Sequence, residues 1–239
     1  LHMREVNPAP YSSYFNLGNT VISSASPEQF ISVQNGEVTT RPIKGTRPHV
    51  EDKVLDEIYK NSLQNSEKDQ AENVMIVDLM RNDLSRVCTP VSIDVSGLCE
   101  LETFSNVHHL VSTVKGKLKV GYDGLDLLRA SFPGGSITGA PKIRAMDIIE
   151  EIEGIRRGPY CGSIGYIGFD GSMDSSILIR TLVYEGSQVS FNVGGGIVAD
   201  SDPQEEYDET LAKAEGIFKS FGSGLSTHKK AERSPRKVA

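Results

Sequence analysis

The alternation of apolar and polar positions near the start of the chain predicts β-strands. Apolar-rich runs at 21–33 and 37–46 flank Asn35-Gly36, a dipeptide typical of the tight turn in a β-hairpin. Lys44, within the sequence PIKGT, is then expected to follow the second strand. Taken alone, such a lysine is an ordinary solvent-exposed cation at a strand end. A chemical role requires other polar groups to converge on it.

A long helix is predicted to begin near Ser66, an N-cap residue, and to end before Pro90. At 100° per residue its apolar positions point nearly all round the axis, as in a helix buried on every side: Val74, Met75, Ile76, Val77, Leu79, Met80, Leu84 and Val87. Asp69 and Glu72 share one face, and Asp83 falls on the same side. An ionised carboxylate on a buried helix needs a partner or a metal ion, so Glu72 is a candidate ligand.

The other periodic segments complete an α+β pattern. Helices are predicted at 50–64, at 123–130, from the glycine-rich loop to Gly154, and from Asp202 to about Phe221. The remaining strands are predicted at 91–95, 99–104, 106–118, 161–169, 176–185 and 188–198. Their order indicates a large, mainly antiparallel sheet rather than βαβ units.

Composition narrows the class of protein. The chain has 239 residues, 38% hydrophobic and 24% charged, with a net charge of −7. No basic stripe indicates a nucleic-acid partner, and no apolar run is long enough to predict a membrane span. Three scattered cysteines argue against a disulfide framework and favour a reducing, cytoplasmic location. The sequence contains no GxSxG motif, and no cysteine has a recognisable catalytic setting. Both observations argue against a hydrolase.

The two ends of the chain differ from its middle. Residues 222–239 are rich in cations and poor in large apolar residues, and we expect a disordered tail or linker there, after a single folded domain at 1–221. The first residues read as the middle of a domain, so we expect an N-terminal part of the natural protein to be missing.

Several polar and glycine positions could hold an anion. The loop SFPGGSITGAPK precedes a helix, whose free N–H groups and dipole favour anions. Arg180 is predicted in mid-strand, facing either a bound carboxylate or an acidic side chain of the protein. Gly194, Gly195 and Gly196 indicate close approach of a ligand to the backbone, or a bulge or bend. His109 is predicted in a strand, where it has either a purely structural role or a role as a hydrogen-bond donor or acid that faces a binding site.

The last helix supplies possible partners for Glu72. Glu206, Glu209 and Lys213 lie together on one face, which is either solvated or part of a site. If Glu72 and Glu209 converge, an all-oxygen site of this kind suits Mg²⁺ bound together with an anionic substrate.

Eight stretches in order resemble the chorismate-utilising enzymes, over about residues 4–221: SPEQF, PIKGTRP, DQAENVMIVDLMRNDL, VHHLVST, FPGGSITGAPKIRAM, CGSIGY, IRTL and GGGIVADSDPQEEYDET. The resemblance implies an α+β fold in which two large, mainly antiparallel sheets form a sandwich flanked by helices. It implies chorismate, a dicarboxylate, as substrate and Mg²⁺ as cofactor.

The resemblance also implies a role for each candidate residue. The metal ligands are Glu72 and Glu209, with Asp69 and Glu206 close by through water. Groups implied to bind the substrate or line its pocket are Gly45, Thr46, Ser136, Tyr160, Arg180, Gly194, Gly196 and Lys213. His109 is expected near the leaving hydroxyl, and Glu28 as a general acid or base.

Lys44 separates branches of this family. Anthranilate synthases usually carry alanine in this motif, whereas the branch that aminates chorismate at C4 carries lysine, which attacks C2 before ammonia attacks C4. The implied product is 4-amino-4-deoxychorismate, on the route to 4-aminobenzoate and folate, with ammonia from a glutamine amidotransferase partner. Anthranilate formation and a non-catalytic chorismate-binding fragment are the alternatives. The lysine that isochorismate and salicylate synthases use comes from an earlier strand, absent here. His49 replaces an arginine that often follows GTRP.

Overall fold

A computed structural model describes residues 2–222. The helices are α1 His2–Val6, α2 Lys53–Gln64, α3 Glu67–Val87, α4 Gly124–Ser131, α5 Lys142–Glu153 and α6 Pro203–Lys219. The strands are β1 Tyr11–Asn16, β2 Thr20–Ser26, β3 Gln29–Gln34, β4 Glu37–Thr40, β5 Ile43–Pro48, β6 Asp94–Thr103, β7 Val107–Lys117, β8 Ser163–Ile167, β9 Met173–Ile177, β10 Thr181–Glu185 and β11 Gln188–Phe191. Apart from Gly222, the predicted tail at 222–239 lies outside the described residues.

The strands form two antiparallel sheets. One has four strands in the order β1-β2-β10-β11, and the other has seven. In the larger sheet β6 pairs with one edge of β7, while β5 and β4 pair with the two halves of its other edge, and β3, β9 and β8 follow. The predicted α+β class with two antiparallel sheets and helices is confirmed.

The predicted hairpin is present, but both of its strands are broken. Asn35 and Gly36 have φ of 52° and 77°, which fits a two-residue turn with positive φ at both positions. The run at 21–33 divides after Ser26, and the run at 37–46 divides before Ile43. Lys44 is therefore the second residue of β5. The prediction that Lys44 follows the second strand is wrong.

The chain crosses from one sheet to the other at two neighbouring points. β2 and β3 belong to different sheets, and so do β9 and β10. Arg180 lies in the second crossing with a φ of 50°, so its predicted place in mid-strand is wrong. The crossings are tied together, because Ile177 N–H donates to Glu28 O and Ala25 N–H donates to Arg180 O, each at 3.1 Å.

Helix α3 packs its buried apolar residues against the seven-stranded sheet. Its buried apolar residues Ile76, Val77, Met80, Leu84 and Val87 join Phe30, Ile31, Val33, Val38, Val114 and Ile177 in the main core. The prediction of a helix buried all round is wrong, since Val74 is 40% exposed and Asp78 and Arg81 face solvent. Glu72 lies at the edge of the buried face, and its side chain is 12% exposed.

Asp83 does not share a site with Glu72, although both point to the same side of α3. Eleven residues at 1.5 Å each separate them by about 16 Å along the helix axis. Asp83 instead accepts a hydrogen bond at 2.6 Å from Lys142 Nζ, at the start of α5.

The cysteines among the described residues are free thiols. Burial raises the pKa of Cys88 and of Cys161 to about 11, so both remain protonated at neutral pH. Within residues 2–222, no helix combines the length and the apolar character needed to cross a membrane.

Candidate active site

Lys44 enters the site at a bulge between β5 and β7. The pairing register shifts between Lys44 and Thr46, and the residue between them, Gly45, has φ of 78°. A Cβ on Gly45 would lie 2.8 Å from Leu63 Cδ1 and 3.0 Å from Asp69 Cβ, so both space and conformation require glycine. The motif thus holds the backbone of Lys44 tightly against α2 and α3.

The Lys44 ammonium faces Glu72 on α3. Lys44 Nζ lies 3.7 Å from Glu72 Oε2, and the two side chains are only 16% and 12% exposed. Burial raises the pKa of Glu72, and the neighbouring Asp69 and Glu206 add to this, while Lys44 and Lys68 oppose it. The pair is therefore a partly desolvated ion pair and not a solvated strand-end charge.

The three consecutive glycines lie against the acidic groups. They follow the end of β11 in a segment without regular structure, so their predicted position inside a strand is wrong. A Cβ on Gly195 would lie 2.9 Å from Glu206 Oε2, and one on Gly196 would lie 3.2 Å from Glu72 Oε2 and 3.3 Å from Lys44 Nζ. Bare backbone at these positions leaves room for carboxylates from two helices.

Helix α6 brings two further glutamates and a lysine. Glu206 Oε1 accepts hydrogen bonds from Ser201 Oγ at 2.6 Å and from Lys68 Nζ at 3.0 Å. Burial alone would raise the pKa of Glu206, but these donors outweigh it, and the pKa is lowered. Lys213 Nζ lies 2.5 Å from Glu209 Oε1 and donates to Gly194 O at 3.1 Å. The face predicted from helical spacing thus points at the glycines.

Glu28 lies in the first crossing between the sheets and is buried. Burial raises its pKa, although the hydroxyl of Ser136, the backbone of Ile43 and the charges of Lys44 and Lys213 pull it down. A carboxyl group in such a place is suited to hold and transfer a proton. Ser136 of the glycine-rich loop and Lys44 are both close enough to Glu28 to lower its pKa.

Arg180 lies in the second crossing, and Tyr160 lies in the segment before β8. No carboxylate of residues 2–222 lies within 4.0 Å of the Arg180 guanidinium, whose pKa burial lowers while Glu28 raises it. A Cβ on Gly194 would lie 2.9 Å from the Tyr160 hydroxyl, so that hydroxyl reaches the glycine segment. A buried guanidinium without a carboxylate partner among the described residues suits an anionic ligand.

His109 is buried on β7 and bonded to the PIKGT segment. Its Nδ1 lies 2.9 Å from Thr46 Oγ1 and 3.4 Å from Gly45 O. Burial, with a contribution from the charge of Arg180, lowers the pKa of His109 to about 4. The ring is therefore neutral at neutral pH, and it can donate a hydrogen bond but does not serve as a cationic acid.

The structure brings most of the predicted residues together, and Asp69 lies beside them. Asp69 Oδ2 accepts from Arg47 Nη2 at 3.2 Å and is thereby held beside the bulge. The sequence interpretation missed Lys68 and Ser201, which bind Glu206. Lys68 stands four residues before Glu72, a helical spacing that indicates a shared face, so it could have been found.

The donor set fits a hard divalent cation. Glu72, Glu206 and Glu209 offer carboxylate oxygens around Gly195 and Gly196, where a Cβ would fill the space. Oxygen ligands of this kind suit Mg²⁺. Lys44, Lys68 and Lys213 balance these acids in charge, and each contacts one of them.

The loop that carries Ser136 is fastened at both ends by Lys142. Its Nζ donates to Asp83 at 2.6 Å and to Ser131 O at 2.8 Å, and the Asp83 side chain is 2% exposed. We expect Lys142→Met to lower the free energy of unfolding by about 3 kcal/mol, since it leaves a buried acid without its partner. Asp83→Asn, which keeps an acceptor, should cost less. Urea unfolding of the intact protein measures both, and the exposed Lys115→Met should change it by less than about 0.5 kcal/mol.

Known proteins are similar to this chain in sequence and in fold. Residues 1–219 match the family model described as chorismate binding enzyme. Aminodeoxychorismate synthase component 1 of Salmonella typhimurium is 52% identical over 216 residues, which are 90% of this chain and 48% of that protein. Anthranilate synthase component 1 of Aquifex aeolicus is 45% identical over 92% of this chain and 44% of its own length.

A solved structure agrees with the sequence matches. Anthranilate synthase component I from Streptococcus pneumoniae superposes with a TM-score of 0.80 at 42% identity, over 89% of this chain and 47% of that one. The chain spans about half the length of the curated relatives it matches. From the family model and these similarities, the chain belongs to the chorismate binding enzymes.

Proposed function

We propose that the protein catalyses the Mg²⁺-dependent amination of chorismate to 4-amino-4-deoxychorismate, on the route to 4-aminobenzoate and folate. The observation that carries the proposal is Lys44, held by the Gly45 bulge 3.7 Å from Glu72 in a pocket of acids, lysines and bare backbone. A lysine in this motif distinguishes 4-amination from anthranilate formation within the family. Free, protonated thiols are consistent with a reducing, cytoplasmic location.

The substrate carboxylates have two distinct binding places in the proposal. Arg180, with Tyr160 and the backbone at Gly194 and Gly196, binds one of them, since the guanidinium has no acidic partner among the described residues. Glu72, Glu206 and Glu209 would hold Mg²⁺, with Asp69 nearby. When bound, the metal would neutralise the ring carboxylate and polarise the ring as the hydroxyl leaves.

Lys44 and Glu28 perform the bond changes. The Lys44 ammonium first gives a proton to solvent, and the free amine then forms a bond to C2 of chorismate while the ring double bond shifts and the C4–O bond breaks. Glu28, whose pKa is raised by burial, gives a proton to the departing hydroxyl, which leaves as water. Ammonia then bonds to C4, the double bond shifts back and the lysine amine is released.

The remaining residues orient these groups. Neutral His109 can donate a hydrogen bond near the leaving hydroxyl, while Thr46 and Gly45 fix its ring. Ser136 lies against Glu28. Lys213, bonded to Gly194 O, supplies a cation near the carboxylates. Ammonia is proposed to come from a glutamine amidotransferase subunit or domain; the relatives named component 1 support the existence of a partner component.

The reaction product tests the proposal. Intact protein is mixed with chorismate, Mg²⁺ and ammonium, and an aminodeoxychorismate lyase is added to convert the product to 4-aminobenzoate. We expect 4-aminobenzoate to form only when protein, Mg²⁺ and lyase are all present. Anthranilate formed without the lyase would assign the protein to the 2-amination branch, and binding of chorismate without any product would indicate a non-catalytic fragment. Either outcome would contradict the proposal.

A further inference from the structure

A second polar cluster lies apart from the acids of the candidate active site. It consists of His49, just beyond β5, Asp56 in the first turn of α2, and His108 on β7, and is called the His49 cluster below. His49 Nδ1 and His108 Nε2 each lie 2.8 Å from the same oxygen, Asp56 Oδ1. The side chains of His108 and Asp56 are 0% and 7% exposed, and that of His49 is 35% exposed.

The three potential ligand atoms have the chemistry and spacing of a transition-metal site. Two imidazole nitrogens and one carboxylate oxygen lie within 4.8 Å of one another. Bond lengths of about 2.0–2.2 Å place the ligands of a tetrahedral zinc ion about 3.3 Å apart. The observed distances need only small side-chain adjustments to reach that value. His49 is the most exposed of the three side chains, so the site is open to solvent on its side.

Neighbouring groups orient the ligands as they do in metal sites. His108 Nδ1 lies 2.9 Å from Thr103 Oγ1, so the ring can place its proton on Nδ1 and leave the Nε2 lone pair free. Asp56 Oδ2 lies 2.8 Å from Lys60 Nζ, and Val50 N–H donates to Asp56 Oδ1. Lys60 lowers the pKa of Asp56 most, followed by the hydrogen bond with His108, so the carboxylate is ionised at neutral pH.

The His49 cluster is separate from the chorismate site. Successive residues of a strand point to opposite faces, so His108 points away from His109, which binds Thr46. None of the three residues contacts the glutamates around the glycine segment among the contacts of residues 2–222. The cluster joins the end of β5, α2 and β7, which all border the Lys44 bulge.

We propose that His49, Asp56 and His108 form a metal site selective for Zn²⁺ or a similar transition-metal ion over Mg²⁺, with water in the fourth position. Imidazole favours such ions, whereas Mg²⁺ prefers oxygen alone. In the metal-bound state, each ring carries its proton on the nitrogen that is not a ligand. The ion replaces the two hydrogen bonds to Asp56 and fastens three elements together.

Zinc titration of the intact protein tests the site. With saturating Mg²⁺ present, isothermal titration calorimetry should show one Zn²⁺ per chain, and the melting temperature should rise by several degrees, because the ion binds the folded state. Co²⁺ added in place of Zn²⁺ should give the strong visible absorption of a tetrahedral complex.

Two variants are expected to change the Zn²⁺ affinity in opposite directions. His49→Arg keeps a donor to Asp56 and removes a ligand, and it should weaken Zn²⁺ binding at least about 100-fold, since losing even an orienting partner costs 10–100-fold. Lys60→Gln removes the positive charge beside Asp56, keeps a donor, and should tighten binding. His2→Ala, which removes an exposed histidine elsewhere, should leave the affinity unchanged.

Three results would overturn the site. They are the absence of stoichiometric Zn²⁺ binding by a folded, Mg²⁺-loaded protein, equal affinity in His49→Arg, and Co²⁺ spectra of octahedral intensity. Circular dichroism and the metal-free melting temperature of each variant establish that it is folded, so a loss of binding in His49→Arg reports the ligand.

Discussion

Lys44→Ala is expected to lower the rate of 4-amination of chorismate by at least about 10³-fold, equivalent to about 4 kcal/mol of activation free energy. The substitution removes the amine proposed to attack C2, while the Gly45 bulge that shapes this part of the pocket remains. Direct attack of ammonia at C2 then becomes the available route, so the residual product should shift towards anthranilate. Chromatographic separation of 4-aminobenzoate and anthranilate in the coupled assay measures both.

The variant Lys44→Arg tests whether Lys44 acts as a nucleophile or only as a positive charge beside Glu72. Arginine can still pair with Glu72, but it stays protonated and cannot act as the attacking amine. It should therefore be as defective in 4-amination as alanine, and Lys115→Ala, on the exposed surface, should be fully active. Substantial 4-amination by the arginine variant would show that Lys44 acts only through its charge.

Glu72→Gln is expected to raise the Mg²⁺ concentration needed for half-maximal activity by about 100-fold. The amide keeps the size of the side chain and one oxygen, but removes a negative charge from the group of glutamates around Gly195 and Gly196. Part of the activity should return at high Mg²⁺, because Glu206 and Glu209 remain. The measurement is a Mg²⁺ titration of initial rate at saturating chorismate.

Glu67→Gln is the matched control for this prediction. It lies on the same helix, is exposed, and forms no contact with the acidic group among the ion pairs of residues 2–222. Its Mg²⁺ dependence should equal that of the unmodified protein. An unchanged Mg²⁺ requirement in Glu72→Gln would remove Glu72 from the proposed ligands.

Features with local causes were predictable from the sequence. The Asn35-Gly36 turn and both ends of α3 follow from residues within a few positions of each other. The breaks between β2 and β3 and between β4 and β5 also had a local signal, because Pro27 and Pro42 stand in them and proline cannot donate to a strand ladder. The prediction of continuous strands at 21–33 and 37–46 was wrong because it relied on the apolar content of these runs and not on their prolines.

Features that depend on distant parts of the chain were not predictable from spacing. Arg180 stands in an apolar run without glycine or proline, so nothing local marks its positive φ. Glu72 and Glu206 are separated by more than a hundred residues, and only the fold brings them to Gly195 and Gly196. The family resemblance supplied these placements, because motifs record tertiary neighbours that periodicity does not contain.

The two sheet crossings limit where the chain can tolerate insertions and deletions. Glu28 and Arg180 each lie where the chain changes sheets, and backbone hydrogen bonds join the crossings on both sides. Sliding the four-stranded sheet against the seven-stranded one would displace the proposed proton donor and the proposed carboxylate anchor together. An insertion or deletion in either crossing should therefore be far less tolerated than one in the exposed turn at Gly186, which joins two strands of a single sheet. The alignment of the two sheets is, in this sense, part of the proposed catalytic site.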